Sequence, residues 1–304
     1  MPAGAAVVGP VFQSPPMISE LRERLRPFHD EALAQGIPAD DVDRWVAVAR
    51  PCATLTPSED GPDPVVGRFG GPLALPDDVP TPGAPFVASI DLAALPAGAT
   101  DLPLPPDGRL LFFAWPEGEY PDSAGQVVYV PAGATVTERD KHTSWNPGDV
   151  DEYRAMFDSY PQGPLRARID VSLPYHSHVT PPGERRSVPV PGHPRAEELV
   201  EVWEEVQDDI APSGPFQLGG YADEEAVYVD PVETAVETVA QAVKSGSWDG
   251  PVSSDPADWV LLADWYAGED VRLWEGSTVH WVIQREDLAA RRFDRAFATV
   301  FWNP

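Results

Sequence analysis

Gln217-Leu218-Gly219-Gly220-Tyr221, then Val260-Leu261-Leu262-Ala263-Asp264, then Val279-His280-Trp281-Val282-Ile283 is the stretch on which the fold is read. A Gly-Gly pair marks a turn, and the two runs after it have strand length and β-branched or aromatic content. The same pattern stands earlier in the chain. There Arg68-Phe69-Gly70-Gly71-Pro72 precedes Phe86-Val87-Ala88-Ser89-Ile90-Asp91-Leu92 and Gly108-Arg109-Leu110-Leu111-Phe112-Phe113. The spacing differs because a helix over residues 231–243 follows the second Gly-Gly pair. Asp230 is its natural cap, with Pro231 at the first helical position. The echo predicts an internally duplicated α+β unit. Its antiparallel-rich sheets would share a core with a few packing helices, in pseudo-repeats at about 65–190 and 214–304. Chance likeness between short apolar strings is the alternative.

Working outward, residues 126–130, 166–173 and 296–302 also read as strands, and residues 151–157 as a short helix. The clearest helix spans residues 195–209, where Leu199, Val202, Trp203, Val206 and Ile210 share one face. Residues 286–295 read as helical. On the N-terminal side, Ser19 can cap a helix to about Gln35, with Gly36 as its stop. A second helix, 39–50, would end at Pro51. Residues 1–60 are therefore taken as an arm with helices, and 61–304 as the main domain.

Composition bounds the function. The chain has 304 residues, 49 acidic against 21 basic, for a formal charge of −28. Only Lys141 and Lys244 are lysines. A field of that sign repels phosphate backbones and anionic lipid, so nucleic-acid and membrane binding are not expected. A cationic partner and simple solubility are both compatible. Cys52 is the single cysteine, so no internal disulfide and no thiolate metal cluster can form, which fits a reducing compartment. The N-terminus has no signal-peptide pattern, and no apolar run reaches spanning length. A soluble, cytoplasmic protein is expected.

Phe69-Gly70-Gly71-Pro72 with Leu75-Pro76, then Ile90-Asp91-Leu92, Leu95-Pro96 and Leu111-Phe112-Phe113, resembles the first half of the YwqG-like (DUF1963) family. Gln217-Leu218-Gly219-Gly220-Tyr221, Trp274 with Gly276, and Arg285-Glu286-Asp287-Leu288 with Phe293 are similar to its second half. The resemblance runs from about Gly67 to Trp302 and implies an internally duplicated α+β fold. It implies no established activity and no catalytic residues. The family commonly carries Gln before each Ile-Asp pair, where this chain has Ser89 and Ala263. Counting back from Trp274 places Asp264 one residue off the family's Asp. One residue of slip turns a strand side chain to the other face, so Asp91 and Asp264 are not expected to be equivalents.

Motifs that carry chemistry are sparse. Gly70-Gly71 and Gly219-Gly220 lack the Lys and Ser/Thr of a phosphate loop, and they fit a positive-φ or close-packing need better. His176-Ser177-His178 would place two imidazoles on one side of a strand. A third metal ligand from Asp170, Glu184 or His193 could come only through folding. There is no Gly-x-Ser-x-Gly elbow, Cys52 has no local activating group, and His29-Asp30-Glu31 reads as a solvated helix face. No catalytic residue, cofactor or metal is expected. Trp259, Trp265, Trp274 and Trp281 crowd one region, as core or as a platform for a flat ligand.

The acidic block is the most pronounced feature. Residues 196–243 hold thirteen Asp or Glu and no Lys, Arg or His. Glu197, Glu201, Glu204, Glu205 and Asp208 lie three or four apart, where like charges oppose a helix by roughly 0.2–0.5 kcal/mol per pair. Either solubility or a cationic partner explains such an arrangement. The expectation is a non-enzymatic interaction module that holds a basic protein on this face, in the manner of an immunity protein. The alternative is a small-ligand or carbohydrate binder, or an unrecognised hydrolase, with its site in the Trp-rich second half.

Overall fold

A computed structural model describes residues 15–117, 123–142, 144–180, 186–224, 227, 229–268, 271 and 275–302. Ten strands form one antiparallel sheet. They are β1 (Arg50–Pro57), β2 (Val65–Phe69), β4 (Phe86–Asp91), β5 (Arg109–Ala114), β6 (Gly125–Val130), β8 (Gly163–Ser172), β11 (Phe216–Gly219), β12 (Trp259–Tyr266), β13 (Ser277–Gln284) and β14 (Phe297–Trp302). Their order is β14-β13-β12-β11-β1-β8-β2-β4-β5-β6. Two small ribbons pair β3 (Leu73–Leu75) with β7 (Thr137–Arg139), and β9 (His178–Val179) with β10 (Val188–Pro189). The two sheets expected from the sequence are thus merged into one, because β1 and β8 join the two runs edge to edge.

The sheet twists until its outer strands meet, as a long twisted sheet tends to do. Ala124 N donates to Ala298 O at 2.9 Å, and Trp281 Nε1 donates to Phe113 O at 3.3 Å. The result is close to a barrel. Its inside is aromatic: Phe112 lies 5.1 Å from both Phe216 and Trp281, and Phe69 lies 6.1 Å from Phe216. Trp265 and Trp281 are fully buried in this core, so they pack it and offer no platform.

Helices cover the outside in two patches. α2 (Arg26–Ala34), α3 (Ala39–Val46) and α5 (Ala196–Ile210) bury Phe28, Trp45 and Trp203 with Val171 of β8 and Leu173 just beyond it. α6 (Pro231–Ser245) buries Val236, Val239 and Ala242 against Trp259, Leu261, Val282 and Phe297. Asp230 caps α6 as expected, accepting from Val232 N at 2.8 Å, and Gly246 ends it at φ +81°. α4 (Asp151–Asp158) and α7 (Arg285–Ala289) are short.

Several expectations need correction. The single helix from Ser19 is two, α1 (Pro15–Arg24) and α2, because Pro27 falls in the first turn of the second and blocks a continuous ladder. The helix expected over 39–50 ends at Val46. Residues 50–57 become β1, a central strand, so the boundary at residue 60 cuts through the main sheet. Pro51 is tolerated there because pairing with β11 starts only at Cys52. The helix expected over 286–295 stops at Ala289. A 3-10 turn at Phe293–Arg295 follows Arg291, which has φ +60°.

Both Gly-Gly pairs meet a conformational need. Gly70 and Gly71 have φ +58° and +84°, and Gly219 and Gly220 have +72° and +78°. A Cβ at Gly220 would come within 2.9 Å of the Cys52 Cβ. Asp91 is exposed and accepts from Ala93 N at 3.0 Å, capping a short 3-10 turn. Trp274 and Glu184 lie outside the described residues.

Candidate functional site

The outer face of the sheet between the helical patches is polar. Alternation places Ala53, Leu165, Ala167, Phe216, Leu218, Trp281 and Ala298 inside. Their neighbours Thr54, Arg168, Gln217, His280 and Thr299 therefore face out. β12 would break this row, since Leu261 faces out and Leu262 faces in. A bulge between Leu261 and Ala263 adds one residue and turns Asp264 outward. Cross-strand partners then run Arg168, Thr54, Gln217, Asp264, His280, Thr299 across six strands.

Next to this row lies a pocket of about 250 Å³. Its apolar walls are Trp45 of α3, Trp259 and Val260 of β12, Val179 of β9, and Val190 just after β10. Its polar lining includes Arg50, Tyr221, His176, His193, Glu233 and Arg285. A partly apolar hollow with a few convergent polar groups has the usual composition of a ligand site. Arg50 enters from the start of β1 and stacks 4.3 Å over the Tyr221 ring. Its Nε lies 3.8 Å from Asp101. Tyr221 follows the second Gly-Gly turn and is anchored by its hydroxyl, which donates to Val48 O at 2.9 Å. Gln217 Nε2 holds that turn through Gly219 O at 3.0 Å and Tyr221 O at 2.9 Å. Arg285 opens α7, and its Nε donates to Ala257 O at 3.0 Å. Burial and the nearby Arg50 lower the Arg285 pKa, so the two guanidiniums repel one another.

Glu233, His176 and His193 of the pocket also have shifted proton affinities. Burial pushes Glu233 up to about 7, although Thr180 N donates to its Oε2 at 2.8 Å and pulls the other way. Burial pushes His176 and His193 below the usual imidazole range. His176 Nε2 donates to Glu224 O at 3.1 Å, which leaves its buried Nδ1 without a partner. Neutral imidazoles and a carboxyl titrating near neutrality are able to give or accept protons at neutral pH.

The folded chain brings His176, His178 and His193 to this one pocket, as the His-x-His reading allowed. Among the described residues no three His, Cys, Asp or Glu are placed to hold a metal ion. Asp170 is engaged elsewhere, by Arg24 at 2.5 Å and Arg168 at 2.7 Å. Of the tryptophans singled out, Trp259 alone among the described residues lines the pocket. Glu197, Glu201, Glu204, Glu205 and Asp208 are all exposed on the side of α5 away from Leu199, Val202 and Trp203. They lie outside the pocket. Sequence reading missed Arg50, Glu233 and Arg285. Arg285 stood in the quoted Arg285-Glu286-Asp287-Leu288 motif, but no spacing ties it to Arg50 or Glu233.

Fold and pocket together define an α+β protein with a near-closed antiparallel sheet and a ligand-sized hollow on its helix-covered face. The domain of unknown function DUF1963 matches residues 67–301, and the chain belongs to that family. A search of the curated proteins finds no match. Among the described residues no helix is long and apolar enough to cross a membrane.

Proposed function

We propose that the protein binds a small anionic ligand with an apolar or aromatic body in the pocket of Arg50, Tyr221 and Arg285. The observation that carries this reading is the placement of Arg50 and Arg285 at one hollow beside the Tyr221 ring, in a chain of charge −28. Arginine recognises carboxylate and phosphate through paired N–H groups. An anion reaching both would pair with them, while the partly buried Val48, Val179 and Val190 would cover an apolar body. The test is thermal shift with benzoate and phenyl phosphate against the neutral benzamide. Stabilisation by the anions alone, lost in Arg50→Gln and Arg285→Gln, is the expected result. Equal effects of anion and neutral isostere would discard the reading.

A second reading is that a basic protein docks on α5. It is favoured by the exposure of all five carboxylates on one helix face. Capture of such a partner should weaken as salt screens the face. Capture that survives Gln substitution of Glu197, Glu201, Glu204 and Glu205 would sink it. Internal duplication belongs to the same set of proposals. It is supported by the strand order, in which β2-β4-β5-β6 and β11-β12-β13-β14 run outward from the central β8 and β1. A cytoplasmic setting is also proposed, on the strength of a single, free, buried cysteine.

A further inference from the structure

We infer that a second cavity, floored by Asp264, is a binding site for an organic cation, an ammonium or guanidinium group. The cavity measures about 250 Å³ and shares no lining residue with the arginine pocket. The Glu224 backbone stands between them, facing His176 on one side. Asp264 is only 5% exposed, and its Oδ2 has no hydrogen-bond partner. A buried carboxyl oxygen left bare is costly, so the group holds its proton, and a charged donor in the cavity would take that proton's place. Burial and the nearby Asp223 and Glu224 raise the Asp264 pKa, while a Gln217 backbone hydrogen bond opposes the shift. The β12 bulge that aims Asp264 outward also turns Tyr266 outward, and that ring is 47% exposed at the cavity. A carboxylate floor with an aromatic wall is the usual composition of an organic-cation site.

Other groups near the floor do not supply the missing charge. No Lys or Arg lines the cavity among the described residues. His280, the cross-strand neighbour of Asp264, is fully buried. Its pKa is pushed down to about 3 by burial and by His176, so it stays neutral. Cys52, on the far side of β11, holds its proton because burial and Asp170, Asp264 and Asp223 all raise its pKa. The carboxylates do not converge as a metal-ligand set among the described residues.

Titration calorimetry on the full chain, with ionic strength held by potassium chloride, tests the site. The probes are butylamine, methylguanidine and a short arginine-containing peptide. Binding by at least one probe is expected, weakened about tenfold or more by Asp264→Asn, the loss of one charge-assisted bond. Tyr266→Ala should weaken it roughly two- to fivefold, and because Tyr266 is exposed this variant should keep the fold. Glu205→Gln, on the distant face of α5, should leave it unchanged. Binding of the free amine or guanidine identifies a small-molecule site. Binding of the peptide alone identifies a docking point for a polypeptide side chain. Binding that Asp264→Asn and Tyr266→Ala both leave intact, or no binding by any probe, overturns the inference.

Discussion

Asp170→Asn should test how the N-terminal helices are joined to the sheet. Asp170 sits on β8 with no exposure, and its two oxygens serve two arginines. Arg24, the last residue of α1, donates to Oδ1 at 2.5 Å and to Ile169 O at 2.6 Å. Arg168 donates to Oδ2 at 2.7 Å and to Pro212 O at 2.7 Å. One carboxylate thus links α1, β8 and the loop after α5. A hydrogen bond to a charged group is worth about 1.5–3 kcal/mol. The amide keeps one acceptor and turns an N–H toward the other arginine, so one such bond is lost and the second becomes neutral. Removing a partner from a fully buried pair costs about 3–5 kcal/mol. Both arginines here are about one-third exposed and can regain water. The expected loss is therefore about 2–3 kcal/mol. Urea titration followed by tryptophan fluorescence reads it directly. A cycle with Arg24→Ala should show coupling of about 1–2 kcal/mol, since the pair is in direct contact. A loss below about 0.5 kcal/mol from Asp170→Asn, well under the worth of one such bond, would refute this account of the junction.

Trp203, 4% exposed and edge-on to Phe28 at 5.9 Å, should cost about 3–5 kcal/mol on replacement by Ala, read in the same titration. Glu233 has a folded pKa of about 7, above the ordinary carboxylate value, so the folded state holds its proton more tightly. Its contribution is fully present below about pH 4.5 and is lost as pH rises through 7. Glu233→Gln should flatten the fall in melting temperature over that window. A fall that persists unchanged in the variant would show that another group carries it. Cys52 is buried and burial raises its thiol pKa, so a native thiol reagent at pH 8 should react only on unfolding. Rapid native labelling would contradict its placement beneath Gly220.

The elements read best were those whose signal is local. Residues 86–91, 109–114 and 277–284 carry apolar runs of strand length, and Asp230-Pro231 announces α6. The burial of Trp203 follows from a helical stripe. Strand β1 was hidden because Pro51 reads as a breaker. Its tolerance depends on where β11 begins to pair, which is a long-range fact. The arginine pocket draws on residues from Trp45 to Arg285, far apart in the chain, and no spacing rule links them.

By itself the sequence determined the α+β class, the family, the Gly-Gly turns, the single thiol and the acidic field. The family follows from the resemblance of spaced motifs, and the others from composition or from period within a short window. Tertiary structure alone decided that the two strand runs form one sheet, that β1 and β8 join them, and that Asp264 faces outward. The last point turns on one bulged residue in β12. A side chain's face depends on the parity of every residue before it in the ladder. A one-residue insertion leaves composition and hydrophobic pattern nearly unchanged, yet it reverses what faces the core and what faces a ligand.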